Sequence, residues 1–373
     1  VLRGLKRDDV TVVVDGAHLH GACPSRMDPP SSHLDYAEVD HVEVKRGPFD
    51  VTQPGGLGGV IDVRTRAPRS GGFGSELNVG TGSSGALETS GVVSYAGARG
   101  DVLLGGAFKQ AEPFRSGNGL NVTRAVPATV NGAPNPARYR NTSSDQVAYD
   151  VRSGWAKVGL APAAGHRLEL AYARQSSTDV LYPYLLMDGI RDDTDRVNAT
   201  WSTGAAGPFS RALAQAYWSR VEHDMTDEDR CSSAANPGEC TGALPRGFGM
   251  RTLAQSSVAG GKVEAVLGGE RAGVTLGADT YFRRWDSTTT RVNRMAPGMP
   301  YASEASIPDV AIDDVGLYVE ARRPLTDRLR VLGGARVDVA ASEARADRTS
   351  VYRTFHPGSD RRSTTEALLA GNV

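Results

Sequence analysis

The connections between its strand-like runs constrain this chain more than any single motif. From about residue 73 onward, about twelve runs read as β-strands, among them 101–108, 167–172, 212–225, 273–281 and 316–321. Several alternate with period two, as half-buried strands do. The segments between them alternate as well. Short turns at 97–100, 161–166, 205–210, 268–272 and 324–328 interleave with long polar loops at about 112–145, 177–192, 226–250, 287–310 and 346–360. A soluble β-sandwich, the competing expectation, has no reason to sort its loops this way. A transmembrane barrel does, because its turns are short on one side of the bilayer and its loops long on the other.

Composition removes other classes. Lys+Arg is 42 and Asp+Glu 43, a net charge of −1, so nothing argues for nucleic acid as a partner. With 39% hydrophobic and 23% charged residues the chain is too apolar and too neutral for disorder. No apolar run reaches the ~18–20 residues of a membrane-spanning helix, and mean hydropathy is −0.33. A barrel survives that test, since alternating strands average out as polar. No signal peptide or final strand is recognisable at the two ends, so the sequence reads as a fragment or mature piece. As half a barrel, residues 1–373 expressed alone are expected to aggregate through unpaired edges.

Residues 1–68 read differently. A short apolar strand, Thr11 to Asp15, precedes a Pro/Ser-rich loop at 23–33, a helical stretch around 34–40, a strand at 41–46, the cluster GGLGG at 55–59 and a last strand at 60–64. That mixture predicts a small α+β domain. The glycine cluster lacks the Lys-Ser/Thr of a phosphate loop, and a strand rather than a helix follows it. Of three cysteines, Cys231 and Cys240 bracket a short, turn-rich segment whose ends can meet at disulfide distance. Cys23 is left over, and a spare thiol in an exported protein calls for a specific reason.

The stretch VDHVEVKRGPFDVTQPGGLGGVIDVRTRAP (39–68) resembles the end of the plug domain of TonB-dependent outer-membrane receptors. The resemblance implies an all-β membrane fold: a plug at 1–68 inside part of a 22-stranded transmembrane β-barrel, about twelve strands of it at 69–373. It further implies a bacterial outer-membrane location, lipid around the wall, a TonB energy-coupling complex as partner, and transport rather than catalysis. The family's TonB-contacting segment is expected to lie outside this sequence. A narrower resemblance points to the copper receptors of that family. Their plug loop carries Cys-x-x-x-Met, here Cys23 and Met27, and a barrel strand carries His-x-Met, here His223 and Met225. Residues 186–195 also resemble the loop and strand start that precede it.

The donor chemistry agrees. Thiolate and thioether are soft ligands that prefer Cu(I), whereas ferric ions and their chelators favour oxygen. Cys23 and Met27 lie four apart in a proline-containing loop, while His223 and Met225, two apart, share a strand face. Counting strands outward from Phe73, the run 210–225 is the seventh and ends at the external rim. One pattern conflicts with this. Arg220, Glu222 and Asp224 have the opposite parity, and charges belong in the lumen. Either His223 sits above the membrane band or a bulge reorients it.

His18 and His20 are candidate auxiliary ligands, with a polar strand end as the plainer reading. Met295 and Met299 repeat the Met spacing in an external loop. Asp192, Asp193 and Asp195 lack EF-hand spacing and read as a solvated loop. No catalytic constellation is present. The expected cargo is copper or a copper complex, with a siderophore or other organic chelate as the alternative and a soluble secreted β-protein or copper enzyme as the second.

Overall fold

A computed structural model describes residue 5 and residues 9–372, apart from 48–49, 54, 69–70, 144–145, 206, 235–236, 241–247, 270, 294–299 and 349–361. Its smaller sheet holds β1 (Val10–Val14), β2 (Ala17–His18), β3 (Val39–Arg46) and β4 (Gly59–Thr65) in the order β2-β1-β4-β3. Strands β1 and β4 run parallel, and the other pairs are antiparallel. β-Branched Val12, Val13 and Val14 favour extended backbone; Val14 and Val63 are buried on one face of the sheet, Val13 and Val60 on the other. The helical stretch expected near 34–40 is smaller than that. It is a single 3-10 turn at Tyr36–Glu38, and another such turn, Pro30–His33, lies in the loop before it. Asp35 caps Tyr36–Glu38 by accepting the Ala37 N–H at 2.8 Å, and β-branched Val39 then opens a strand.

The larger sheet has twelve strands, as the run count predicted: β5 (Gly72–Thr81), β6 (Leu87–Ala96), β7 (Gly100–Ala111), β10 (Tyr149–Leu160), β11 (His166–Val180), β12 (Asp188–Thr203), β13 (Phe209–Thr226), β14 (Phe248–Gly268), β15 (Gly273–Asn293), β16 (Pro300–Pro324), β17 (Arg330–Ala344) and β18 (Arg362–Asn372). A two-residue hairpin, β8 (Thr129–Val130) and β9 (Ala133–Pro134), interrupts the loop after β7. Neighbours in sequence are neighbours in the sheet, so the pattern is an up-and-down wall open at β5 and β18. β18 supplies a strand where the sequence reading found none; adjacent Leu368 and Leu369 break the period-two signal.

The two faces of the wall differ chemically. Phe73, Leu77, Leu104, Leu170, Leu317 and Val339 stand exposed on the outside, the apolar surface that lipid covers. The inner face grips the small sheet through polar groups. Lys157 pairs with Asp15 at 3.3 Å, Lys109 with Asp35 at 3.0 Å and Arg196 with Glu38 at 2.6 Å. Gln215 donates to the Asp15 carbonyl, and Lys262 to that of Thr52. Glycine is used for packing inside the wall. Trp155 lies directly across from Gly105 and Tyr217 across from Gly260; a Cβ would fall 2.2 Å from the Trp155 ring at the first and 2.3 Å from the Tyr217 hydroxyl at the second. The aromatic side chains fold over the bare backbone and restore the packing that glycine gives up.

Candidate metal centre

The plug contributes a loop that the wall holds by its backbone. Trp285 of β15 donates its indole N–H to the Ala22 carbonyl at 2.7 Å, and Arg283 donates to that of Gly21 at 3.1 Å. From within the loop the Asp28 carboxylate accepts the N–H of Ala22 and that of Cys23, the latter at 3.0 Å. The Cys23 thiol is thereby fixed and buried, and it is the one free thiol among the three cysteines.

The wall contributes the outer end of β13. Its odd-numbered residues Tyr217, Ser219, Val221, His223 and Met225 are all buried against the plug. Pairing with β14 is uninterrupted from Ala212 to Thr226, so no bulge turns His223 inward. Arg220 and Glu222 face the other way and pair with each other at the outer surface, and Asp224 pairs with Arg251. His223 thus faces the plug while Arg220, Glu222 and Asp224 face away from it, the reverse of the parity expected of lumenal charges.

At the seam the two contributions touch. Cys23 Sγ is 3.5 Å from Met225 Sδ, and the thiol also interacts with the His223 ring. His223 Nδ1 lies 2.9 Å from Asp192 Oδ2, its direct cross-strand neighbour on β12. A carboxylate accepts, so Nδ1 carries the proton, and Nε2 is left buried without a hydrogen-bond partner. Met27 is half-buried in the same loop and takes no part in these contacts among the described residues.

Plug residue His33 joins the two carboxylates around the centre. Its ring lies 3.3 Å from Asp192 and 3.4 Å from Asp28, and Nδ1 is 2.9 Å from the Thr194 hydroxyl. Burial alone would depress this imidazole, but Asp192 and Asp28 outweigh it and lift His33 to about 9. Asp28, His33 and Asp192 were not singled out as site residues from sequence. On sequence Asp192 groups with Asp193 and Asp195, but those two face outward and pair with Arg174.

His18 and His20 make aromatic contacts. Their rings stack on each other at 6.2 Å, and His18 stacks on Tyr281 at 4.9 Å. Burial, offset only in part by Asp279, holds His18 down near 4. Met295 and Met299 lie outside the described residues. Above the centre, a Cys231–Cys240 disulfide with Cα atoms 5.6 Å apart closes the loop after β13. Fully buried Arg230 ties that loop to its neighbours, pairing with Asp188 and donating to the carbonyls of Ala137 and Tyr182.

Residues 1–60 match the family model for the TonB-dependent Receptor Plug Domain. Those sixty residues are a plug domain of the TonB-dependent receptors. Solved structures agree on the fold. The copper transporter OprC is 19% identical, with a TM-score of 0.78 over 100% of this chain and 54% of its own. The FrpB iron transporter from Neisseria meningitidis is 16% identical, TM-score 0.62, over 98% and 54%. The ferric yersiniabactin uptake receptor FyuA from Yersinia pestis is 14% identical, TM-score 0.62, over 98% and 52%. This receptor chain thus spans about half the length of the solved structures it resembles. Comparison with curated protein sequences finds no match. TonB-dependent receptors are outer-membrane proteins of Gram-negative bacteria, and the receptor described here is placed in that membrane.

Proposed function

We propose that this receptor takes up copper, with residues 1–68 as plug, residues 69–373 as barrel wall, and Cys23, Met27, His223 and Met225 as ligands of the cargo. The observation that carries the reading is the buried thiol–thioether contact beside an unpartnered imidazole nitrogen at the seam between plug and wall. Two thioethers, a thiolate and an imidazole form a soft, four-donor set suited to a d10 ion. The likeness in fold to a copper transporter supports the same cargo.

The ligand set is divided between two bodies. Cys23 and Met27 belong to the plug, His223 and Met225 to the wall. Work done by a TonB complex on the plug parts the four donors into two pairs, and two donors hold an ion far less well than four. The reading therefore needs transport and no catalytic cofactor.

A second reading rests on the likeness to the ferric yersiniabactin receptor: import of an organic metal chelate, gripped by the external loops. Copper(I) binding by the refolded receptor, wild type against Cys23→Ser with Met27→Ala, separates the two. Copper import requires that the double variant lose the site. Unchanged stoichiometry and affinity, together with growth on a ferric chelate, would leave the second reading.

A further inference from the structure

Asp192 and His223 face each other across β12 and β13 with an oxygen–nitrogen separation of 2.9 Å. The wall thus places a carboxylate behind the imidazole, on the side away from the sulfurs. Such a carboxylate is expensive to bury unless its charge is used. Here one oxygen faces His223 and the other lies 3.3 Å from plug residue His33, whose ring also reaches Thr194 and Asp28. We propose that Asp192 is the positioning residue of this centre: one oxygen locks His223 with Nε2 turned to the sulfurs, and the other, through His33, ties that orientation to a seated plug.

Three features support this. His223 is 2% exposed, Asp192 holds its Nδ1, and the Nε2 side is left to the Cys23 thiol. The hold fixes the tautomer that leaves Nε2 with a lone pair, as outer carboxylates do for metal-bound histidines. The same carboxylate bridges wall and plug, so its geometry differs between a seated and a displaced plug. Sequence reading missed Asp192 because neighbouring acids on one strand look alike until the register assigns their faces.

The inference rests on the copper reading, and the experiment keeps the two apart. Copper(I) affinity and the copper X-ray absorption spectrum are measured on the complete receptor, with heat-modifiable gel mobility as the control for folding. Asp192→Ala lowers affinity about 10–100-fold, the usual effect of losing an outer-shell partner, and removes the nitrogen scatterer. Asp192→Asn, whose amide oxygen still accepts from Nδ1, keeps the nitrogen and most of the affinity. Should the alanine variant fail to fold, Asp192→Val fills the same space without an acceptor and is expected to show the same loss. His33→Gln weakens binding while leaving the nitrogen in place. Wild-type affinity with an unchanged nitrogen in the alanine or valine variant overturns the positioning role; equal losses in Asn and Ala overturn it in favour of plain structural support. Wild-type affinity in His33→Gln overturns the link to the plug. A wild-type receptor that binds no copper overturns the copper reading and this inference with it.

Discussion

The thiol sulfur of Cys23 sits 3.5 Å from the thioether sulfur of Met225, 202 residues later in the chain and on the other side of the plug–wall seam. Two soft donors from separate bodies meet where neither can be reached by bulk water.

That meeting predicts a graded loss of copper. Cys23→Ser exchanges a soft donor for a hard one of similar size, and Met225→Leu keeps the volume and removes the sulfur. Each is expected to weaken Cu(I) binding by at least about tenfold, roughly 1.4 kcal/mol, with barrel assembly unaffected. Competition against a chromophoric Cu(I) chelator reads the change. Wild-type affinity in both variants would exclude the sulfurs as ligands.

The disulfide above the centre makes a different prediction. Cys231 and Cys240 are nine residues apart, and closing so short a loop is worth roughly 2–3 kcal/mol of local chain entropy. The loop is also anchored by Arg230, so its loss is expected to be local. Cys231→Ser with Cys240→Ser leaves the barrel folded and exposes residues 226–240 to limited proteolysis. Mass mapping of the first cuts checks this; cleavage spread through the wall instead would make the disulfide a global support.

Much of this architecture was readable from the one-dimensional pattern. Strand period, the alternation of turns and loops, and the GGLGG turn before β4 are local signals, and they led to a twelve-stranded wall around a small mixed sheet. Cys23, His223 and Met225, singled out on local spacing, lie together at the seam. What stayed hidden depends on register. Asp192 and Asp193 are adjacent in sequence but face opposite sides of β12, one toward His33 and His223 and the other toward Arg174 and Arg191. At Arg220 and Glu222 the expected parity is reversed, because the plug covers the face of β13 that carries His223.

His33 gives the plug a pH dependence with a definite sign. Its folded value of about 9 lies above the ordinary 6.5 because Asp192 and Asp28 outweigh burial, so the folded form holds the proton more tightly. The stabilisation is fully present below about 6.5 and is lost as pH rises through about 9. At most a few kcal/mol follow from a shift of this size. Protection of the amides in the plug loop at 21–33, with exchange rates corrected for base catalysis, is therefore expected to fall between pH 7 and pH 10, and His33→Gln should flatten the profile. A profile just as steep in the variant would assign the effect to another group.

Deeper in the lumen, Arg336 is surrounded by acids. Its guanidinium pairs with Asp279 and Asp338, both at 2.6 Å, and also reaches the Val51 carbonyl of the plug. Carboxylate oxygens of Asp279, Asp314 and Asp338 lie within 4.8 Å of one another, so the arginine occupies the place that a bound cation would take. Removing it strands three carboxylates in a mostly buried site, and breaking a buried pair of this kind costs about 3–5 kcal/mol. Arg336→Leu is thus expected to lower the temperature at which the folded barrel band disappears on gels. If uncompensated charge causes the loss, adding Asp279→Asn and Asp338→Asn to the leucine variant recovers most of it, although two further hydrogen-bonding groups have been altered. If packing against Tyr318 and Val51 causes it, the triple variant is no more stable than the single one. The triple variant therefore decides whether Arg336 acts here as a counter-ion or as filler.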